Sequence, residues 1–110
     1  MPITIKNHDV LGELLHHYHA ALVDVLKWIV CRYSQVVITS AWREDGVHSL
    51  GRAVDLRSRC YKFPLEVAED IDAHWEYDAD RPQYNVCFYH GPVMHFHIQV
   101  SDHTRYTGAL

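Results

Sequence analysis

The segment 94–100 alternates strictly between apolar and polar residues, and this pattern constrains the fold more than any other in the chain. A period of two residues places successive side chains on opposite faces of a β-strand. One face of this strand is therefore expected in a core, and the other carries potential metal ligands. The apolar face holds Phe96, Ile98 and Val100, and the polar face holds His95, His97 and Gln99.

A second strand is predicted over 52–57, where Asp55 lies on the side opposite the apolar residues. His48 precedes this strand in a short loop with Gly51, and a turn at the glycine can fold the histidine back over the strand. If this strand is a neighbour of the first one, His48, Asp55 and His97 converge. Two imidazoles and one carboxylate suit a catalytic zinc site, in which the fourth position stays open for water.

The rest of the chain predicts two helices and two further strands. Apolar residues at spacings of three and four predict one amphipathic helix over 10–32. Pro64 suits a first helical position and begins a second helix that ends near Trp75. The further strands are expected at 36–41 and 86–89.

These elements predict an α+β fold, with a small, mostly antiparallel sheet, a long N-terminal helix and a second helix packed on it. The length of 110 residues predicts a single domain over 1–110. The polar tail from Ser101 is expected to fray.

The composition argues against several classes of function. The net charge is −4 and no basic run is present, so nucleic acid is not an expected partner. No apolar segment has the length of a membrane span, and the first residues lack the pattern of a signal peptide. The three cysteines lack CxxC spacing, which predicts neither a zinc finger nor a disulfide framework. We expect a monomer.

Three motifs of this chain resemble the M15 peptidase superfamily. That group includes D-Ala-D-Ala carboxypeptidases and phage L-alanyl-D-glutamate endolysins, and the hedgehog signalling domain shares its fold. The resemblance extends over most of the chain, from about Val36 to Val100. The motifs are Ser40-Ala41-Trp42-Arg43, the His48-x6-Asp55 element with an internal Gly-x-Ala, and His95-Phe96-His97.

The resemblance implies a zinc cofactor with His48, Asp55 and His97 as its ligands. His97 is preferred to His95 because the last ligand of the family is followed by a short alternating strand end, as the segment 98–100 provides here.

The resemblance also implies a substrate-binding group at the first motif. Arg43 matches the arginine that these enzymes use to hold a carboxylate or carbonyl of the substrate, and a guanidinium suits such a role. Ser40 and Trp42 are assigned to the same substrate cleft.

The general base of these peptidases is an Asp or Glu, commonly three residues before the last histidine. Here that position is Met94, and no acidic residue lies between Pro82 and Ser101. The family pattern is therefore broken at the residue that activates water.

Three replacements for this carboxylate stay open. His95 and His90 rank first as catalytic groups, because both lie near the predicted site and an imidazole is a competent acid or base near neutral pH. The third replacement is Asp78 or Asp80, reaching in from the preceding loop.

The predicted function is a zinc-dependent metallopeptidase that hydrolyses peptide bonds in peptidoglycan stem peptides, in phage or prophage lysis. The expected location is the host cytoplasm or the virion, with action on the cell wall after release. The alternative is a non-catalytic zinc-binding module of the same fold, used for partner or cell-wall binding. A structural protein without a metal is the third possibility.

Overall fold

The computed structural model describes residues 3–5, 19–40, 52–91 and 93–108, with the backbone alone for 3–5. Within these ranges, helix α1 spans Ala20–Tyr33 and helix α2 spans Pro64–His74. Neither helix is long and apolar enough to cross a membrane. The strands are β1 Ile3–Ile5, β2 Val36–Ser40, β3 Ala53–Arg57, β4 Trp75–Glu76, β5 Cys87–His90, β6 His95–Gln99 and β7 Arg105–Tyr106.

Five of these strands form one sheet in the order β1-β2-β3-β6-β5. β1 runs parallel to β2, and the other neighbouring pairs of this sheet are antiparallel. β4 and β7 form a separate two-stranded sheet. A mostly antiparallel sheet with two helices confirms the predicted α+β class. The two strands predicted to carry metal ligands, β3 and β6, are neighbours inside the larger sheet.

The apolar sides of the sheet and the helices meet in one core. Phe96 and Ile98 on β6 are fully buried, as are Val54 and Leu56 on β3. Burial of a side chain of this size stabilises the fold by about 1.5–3 kcal/mol, so the orientation of both strands is strongly specified. The helices contribute Leu22, Val25, Leu26, Ile29, Val67, Ala68 and Ile71.

Helix α1 differs from the predicted helix at its N-terminal end. His19 has an extended backbone, with φ −106° and ψ 141°, and its ring accepts a hydrogen bond from the Ala21 amide at 3.1 Å. This side chain caps the helix, as Ser or Asp does more often, so the predicted helix is not continuous through His19. Residues 10–18 lie outside the described residues. Helix α2 follows its prediction, from Pro64 to His74.

The prediction that the tail frays from Ser101 is wrong for residues 101–108, the part of the tail that the structure describes. Ser101 is 1% exposed, and its hydroxyl donates to the carbonyl oxygen of Tyr77 at 2.7 Å. Beyond it, β7 pairs with β4, and the ring of Tyr106 packs edge-on against Trp75 with centroids 5.5 Å apart. A strand of two residues has no periodicity, so its pairing is decided by contacts distant in sequence.

Asp72 on α2 connects this helix to the start of β5. Its Oδ1 accepts hydrogen bonds from the amides of Val86 at 3.0 Å and Cys87 at 2.9 Å. Burial raises the pKa of this carboxyl to about 6, because desolvation outweighs the two hydrogen bonds that lower it. The folded state therefore prefers the protonated side chain. The stability that Asp72 contributes falls as the pH rises from 3.8, the ordinary value, through about 6.

Asp72→Asn is expected to be more stable than the wild type at pH 8, by up to roughly 2–3 kcal/mol in unfolding free energy. The amide oxygen keeps both hydrogen bonds without burying a charge. Below about pH 4 this advantage should vanish, because the wild-type carboxyl is then protonated. Urea unfolding followed by tryptophan fluorescence measures the difference.

The matched control for this substitution is Asp72→Ala. It leaves the buried amides of Val86 and Cys87 without their acceptor, so it should be about 1–3 kcal/mol less stable than Asp72→Asn at every pH. An Asn variant that is less stable than the wild type at pH 8 contradicts the prediction.

Candidate functional site

The register of β3 and β6 places Asp55 and His97 directly opposite each other. Both side chains stand on the sheet face that points away from the core. Asp55 Oδ1 lies 3.3 Å from His97 Nδ1, and Asp55 is only 6% exposed. The structure therefore brings together two of the three predicted zinc ligands.

Three residues of the predicted site fall in a part of the chain that the structure does not describe. His48, Trp42 and Arg43 are outside the described residues. In the part of the chain that the structure describes, no group of three or more His, Cys, Asp or Glu side chains is arranged to hold a metal ion. His48, the third predicted zinc ligand, lies outside that part of the chain.

Two further histidines extend the polar face toward one end of the sheet. His95 is the strand partner of Arg57 on β3 and of His90 on β5. His95 Nε2 lies 3.8 Å from Asp55 Oδ1, and the rings of His95 and His90 have centroids 4.8 Å apart. The ring centroids of His90 and His97 are 6.1 Å apart. Together these groups form the histidine face, which consists of Asp55, His90, His95 and His97.

The protonation of His97 is constrained by Gln99, two residues further along the same face. The side-chain amide of Gln99 donates to the carbonyl oxygen of Asn85 at 3.0 Å, which turns its own oxygen toward His97. His97 Nε2 lies 3.2 Å from that oxygen and therefore carries a proton. The other ring nitrogen, Nδ1, faces the Asp55 carboxylate.

The pair of donors fits zinc in chemistry and in spacing. Imidazole nitrogen and carboxylate oxygen bind this ion at about 2.0–2.2 Å, which places two donors of a tetrahedral site roughly 3.3–3.5 Å apart. Asp55 Oδ1 and His97 Nδ1 are 3.3 Å apart. Gln99 supplies the outer hydrogen bond that usually orients a metal-binding histidine.

His95 presents a basic nitrogen to the same place. Its Nδ1 lies 2.8 Å from the carbonyl oxygen of Val93, so this nitrogen carries the proton and donates it in a hydrogen bond. Nε2 is then the nitrogen with a free lone pair, and it is the one nearer to Asp55. His95 can therefore take up a proton at a point next to the candidate metal ligands.

A cavity of about 300 Å³ opens beside Asp55 and His95. Met94, at the position where the family has its carboxylate, is 48% exposed and forms part of the wall. A thioether takes up no proton, so this side chain cannot act as a general base. The lining residues are Thr39, Asp55, Arg57, Arg59, Val93, Met94 and His95.

The neighbouring strand β2 has an irregularity beside Asp55. Ile38 pairs with Leu56, but Ser40 rather than Thr39 pairs with Asp55, so β2 holds one additional residue. The hydroxyl of Thr39 donates to the carbonyl oxygen of Asp55 at 3.2 Å. Such bulges redirect side chains near functional sites. Ser40, predicted to bind substrate, is thus placed opposite the candidate metal ligand.

Asp78, the acidic candidate from the loop, is engaged elsewhere. It accepts hydrogen bonds from the Asp80 amide at 2.9 Å and from Arg81 at 3.0 and 3.1 Å. The bond from the Asp80 amide and the Arg81 guanidinium lower the pKa of the Asp78 carboxyl. A carboxylate held in this way is a weak proton acceptor, and Asp80 itself is exposed in the same turn. Histidine remains the better candidate for the base.

Two residues acquire roles that the sequence did not assign. Gln99 orients His97, and Arg57 lines the cavity. The sequence signal for each is a spacing of two residues from a predicted ligand on the same strand face, Gln99 from His97 and Arg57 from Asp55.

Comparison of the chain with protein-family models, with curated proteins and with solved structures gave no match. The likeness to the M15 peptidases therefore rests on the three sequence motifs.

Proposed function

We propose that this protein is a zinc-dependent metallopeptidase that hydrolyses peptide bonds in bacterial peptidoglycan stem peptides. One observation carries the proposal: His97 Nδ1 and His95 Nε2 converge on Asp55 Oδ1, at 3.3 and 3.8 Å. The cavity beside them offers a peptide access to these groups. The cell-wall substrate and the setting in phage or prophage lysis come from the resemblance of the motifs.

Asp55 and His97 would hold the zinc ion, with His48 as the third ligand implied by the resemblance. When bound, zinc polarises a peptide carbonyl group and lowers the pKa of water. The hydrogen bond from His97 to Gln99 keeps Nδ1 directed at Asp55, which is the nitrogen required for a shared ion.

His95 moves the proton in the proposed reaction. Hydrolysis of a peptide bond requires one group to take a proton from the attacking water and to deliver a proton to the leaving amine. The Val93 carbonyl holds the ring by its Nδ1, which leaves Nε2 free for both transfers. His90, with its ring 4.8 Å from that of His95, is the second candidate for this role.

The resemblance supplies the rest of the proposal. Arg43, with Ser40 and Trp42, would hold the substrate. The protein would act as a monomer, after release from the host cytoplasm or from the virion.

Metal analysis and a cell-wall assay test this function. Protein purified without a histidine tag is expected to contain about one zinc ion per chain. Incubated with purified peptidoglycan, it should release new amino termini that mass spectrometry detects. Chelator-treated protein is the control, and added zinc should restore its activity. A zinc-free protein whose thermal stability is indifferent to chelator contradicts the proposal.

The alternative is a non-catalytic zinc-binding module of the same fold. It is favoured by Met94, which occupies the position of the family's carboxylate, and by the lack of acidic residues from Val86 to Val100. The same assay separates the two functions. Full zinc content without any release of amino termini, from peptidoglycans of several wall chemistries, supports the binding module.

A further inference from the structure

Two arginines of the cavity wall differ from the other arginines that the structure describes. Arg57 and Arg59 both line the cavity beside the histidine face. Among the described residues, neither guanidinium lies within ion-pair distance of a carboxylate. The other four described arginines do form such pairs, which are Arg32 with Asp70, Arg52 with Asp102, Arg81 with Asp78 and Arg105 with Glu76.

Both arginines are carried by well-fixed backbone. Arg57 is the last residue of β3, two residues after Asp55 and directly opposite His95. Arg59 follows in the next turn, where the buried hydroxyl of Ser58 donates to the carbonyl oxygen of Met94 at 3.1 Å. This hydrogen bond connects the turn to Met94, which also lines the cavity. Arg57 therefore stands beside His95, and the exposed Arg59 joins the same cavity wall from the adjacent turn.

The charge of this cavity is opposite to that of the whole protein. The chain has a net charge of −4, which repels an acidic peptide at long range. The residues that line the cavity include two arginines, Arg57 and Arg59, and one carboxylate, that of Asp55. Oδ1 of this carboxylate lies 3.3 Å from His97 Nδ1. The apolar side chains of Val93 and Met94 also line the wall. A bound carboxylate can meet a guanidinium here through two parallel hydrogen bonds.

We propose that Arg57 and Arg59 form an anion subsite that binds a free carboxylate of the peptide substrate next to the scissile bond. The inference deepens the proposed peptidase function and rests on it for its biological purpose. The carboxylate has two possible sources, which are the C-terminus of the peptide and an acidic side chain.

Calorimetric titration with three small probes tests this subsite without any need for activity. The probes are acetyl-D-alanine, its C-terminal amide, and the α-amide of acetyl-D-glutamate. One of the two free acids is expected to bind about tenfold more tightly than the neutral amide. A preference for acetyl-D-alanine identifies a C-terminal carboxylate, and a preference for the glutamate probe identifies an acidic side chain.

Variants connect this preference to the two arginines. The double variant Arg57→Gln/Arg59→Gln should bind acid and amide equally, whereas Arg57→Lys/Arg59→Lys should keep part of the preference. Arg105→Gln, which removes an exposed and paired arginine outside the cavity, should keep all of it. If the double Gln variant does not fold, as judged by circular dichroism, Arg59→Gln alone should weaken the preference.

Two outcomes overturn the inference: equal binding of acids and amide by the wild type, or a preference that survives in the double Gln variant. Failure of the peptidase function gives a different result. In that case zinc or activity is missing while the preference for the acid, and its loss in the double Gln variant, remain.

Discussion

Asp55→Ala is expected to lose zinc binding and peptidase activity together. Asp55 is the anionic member of the predicted ligand set, and its Oδ1 lies 3.3 Å from His97 Nδ1. Removal of this oxygen should lower the zinc affinity by on the order of 10³-fold. Zinc analysis after dialysis should then find well below about a tenth of an ion per chain. The kcat/KM for peptide hydrolysis should fall at least as far.

His97→Ala should reproduce this result, because it removes the other donor of the pair. Asp80→Ala and His103→Ala are matched controls, since they remove exposed residues of the same types and should leave zinc content unchanged. Asp55→Asn preserves the shape of the side chain if the alanine variant does not fold. Full zinc content in either the Asp55 or the His97 variant would rule out the ligand assignment.

His95→Ala is expected to lose catalytic activity while it keeps its zinc ion. The variant should keep its zinc, because His95 is not one of the three predicted ligands. The kcat should fall by about 10²–10⁴-fold, the usual contribution of a positioned acid or base. Turnover of a stem peptide by the zinc-loaded variant, followed by mass spectrometry, measures the loss.

Added imidazole gives this experiment a readout that a purely structural role does not produce. Free imidazole should restore part of the activity of His95→Ala, and it should not affect the wild type. His90→Ala is the control on the same face, with an expected loss below about tenfold. Loss of zinc from His95→Ala would make His95 a ligand, and full activity would exclude it as the base.

The parts of the fold that the sequence predicted are those with a local repeat. Alternation over 94–100 assigned Phe96 and Ile98 to the core and His97 to the opposite face, because a period of two residues leaves no other arrangement of a strand. Pro64 likewise marked the start of α2, since the fixed φ of proline suits a first helical turn. These features need no knowledge of the rest of the chain.

Other features depend on partners that are distant in sequence. β7 forms because β4 and the ring of Trp75 lie beside it, and its polar residues carry no such signal. His19 acts as a helix cap through its own ring, which composition does not reveal. At the site, the role of Gln99 depends on the Asn85 carbonyl, which turns the amide so that its oxygen meets His97. The additional residue in β2 also cannot be predicted from the sequence, because it is defined only by the pairing of β2 with β3.

Asp72 also affects how this protein behaves among other copies of itself. Among the strands that the structure describes, β5 is at one edge of the larger sheet. Unpaired amides on an edge strand can pair with a strand of another molecule. The carboxylate of Asp72 already occupies the amides of Val86 and Cys87. The beginning of that strand is thereby closed to further strand pairing, and the same residue that raises the sensitivity of the fold to pH lowers its tendency to aggregate.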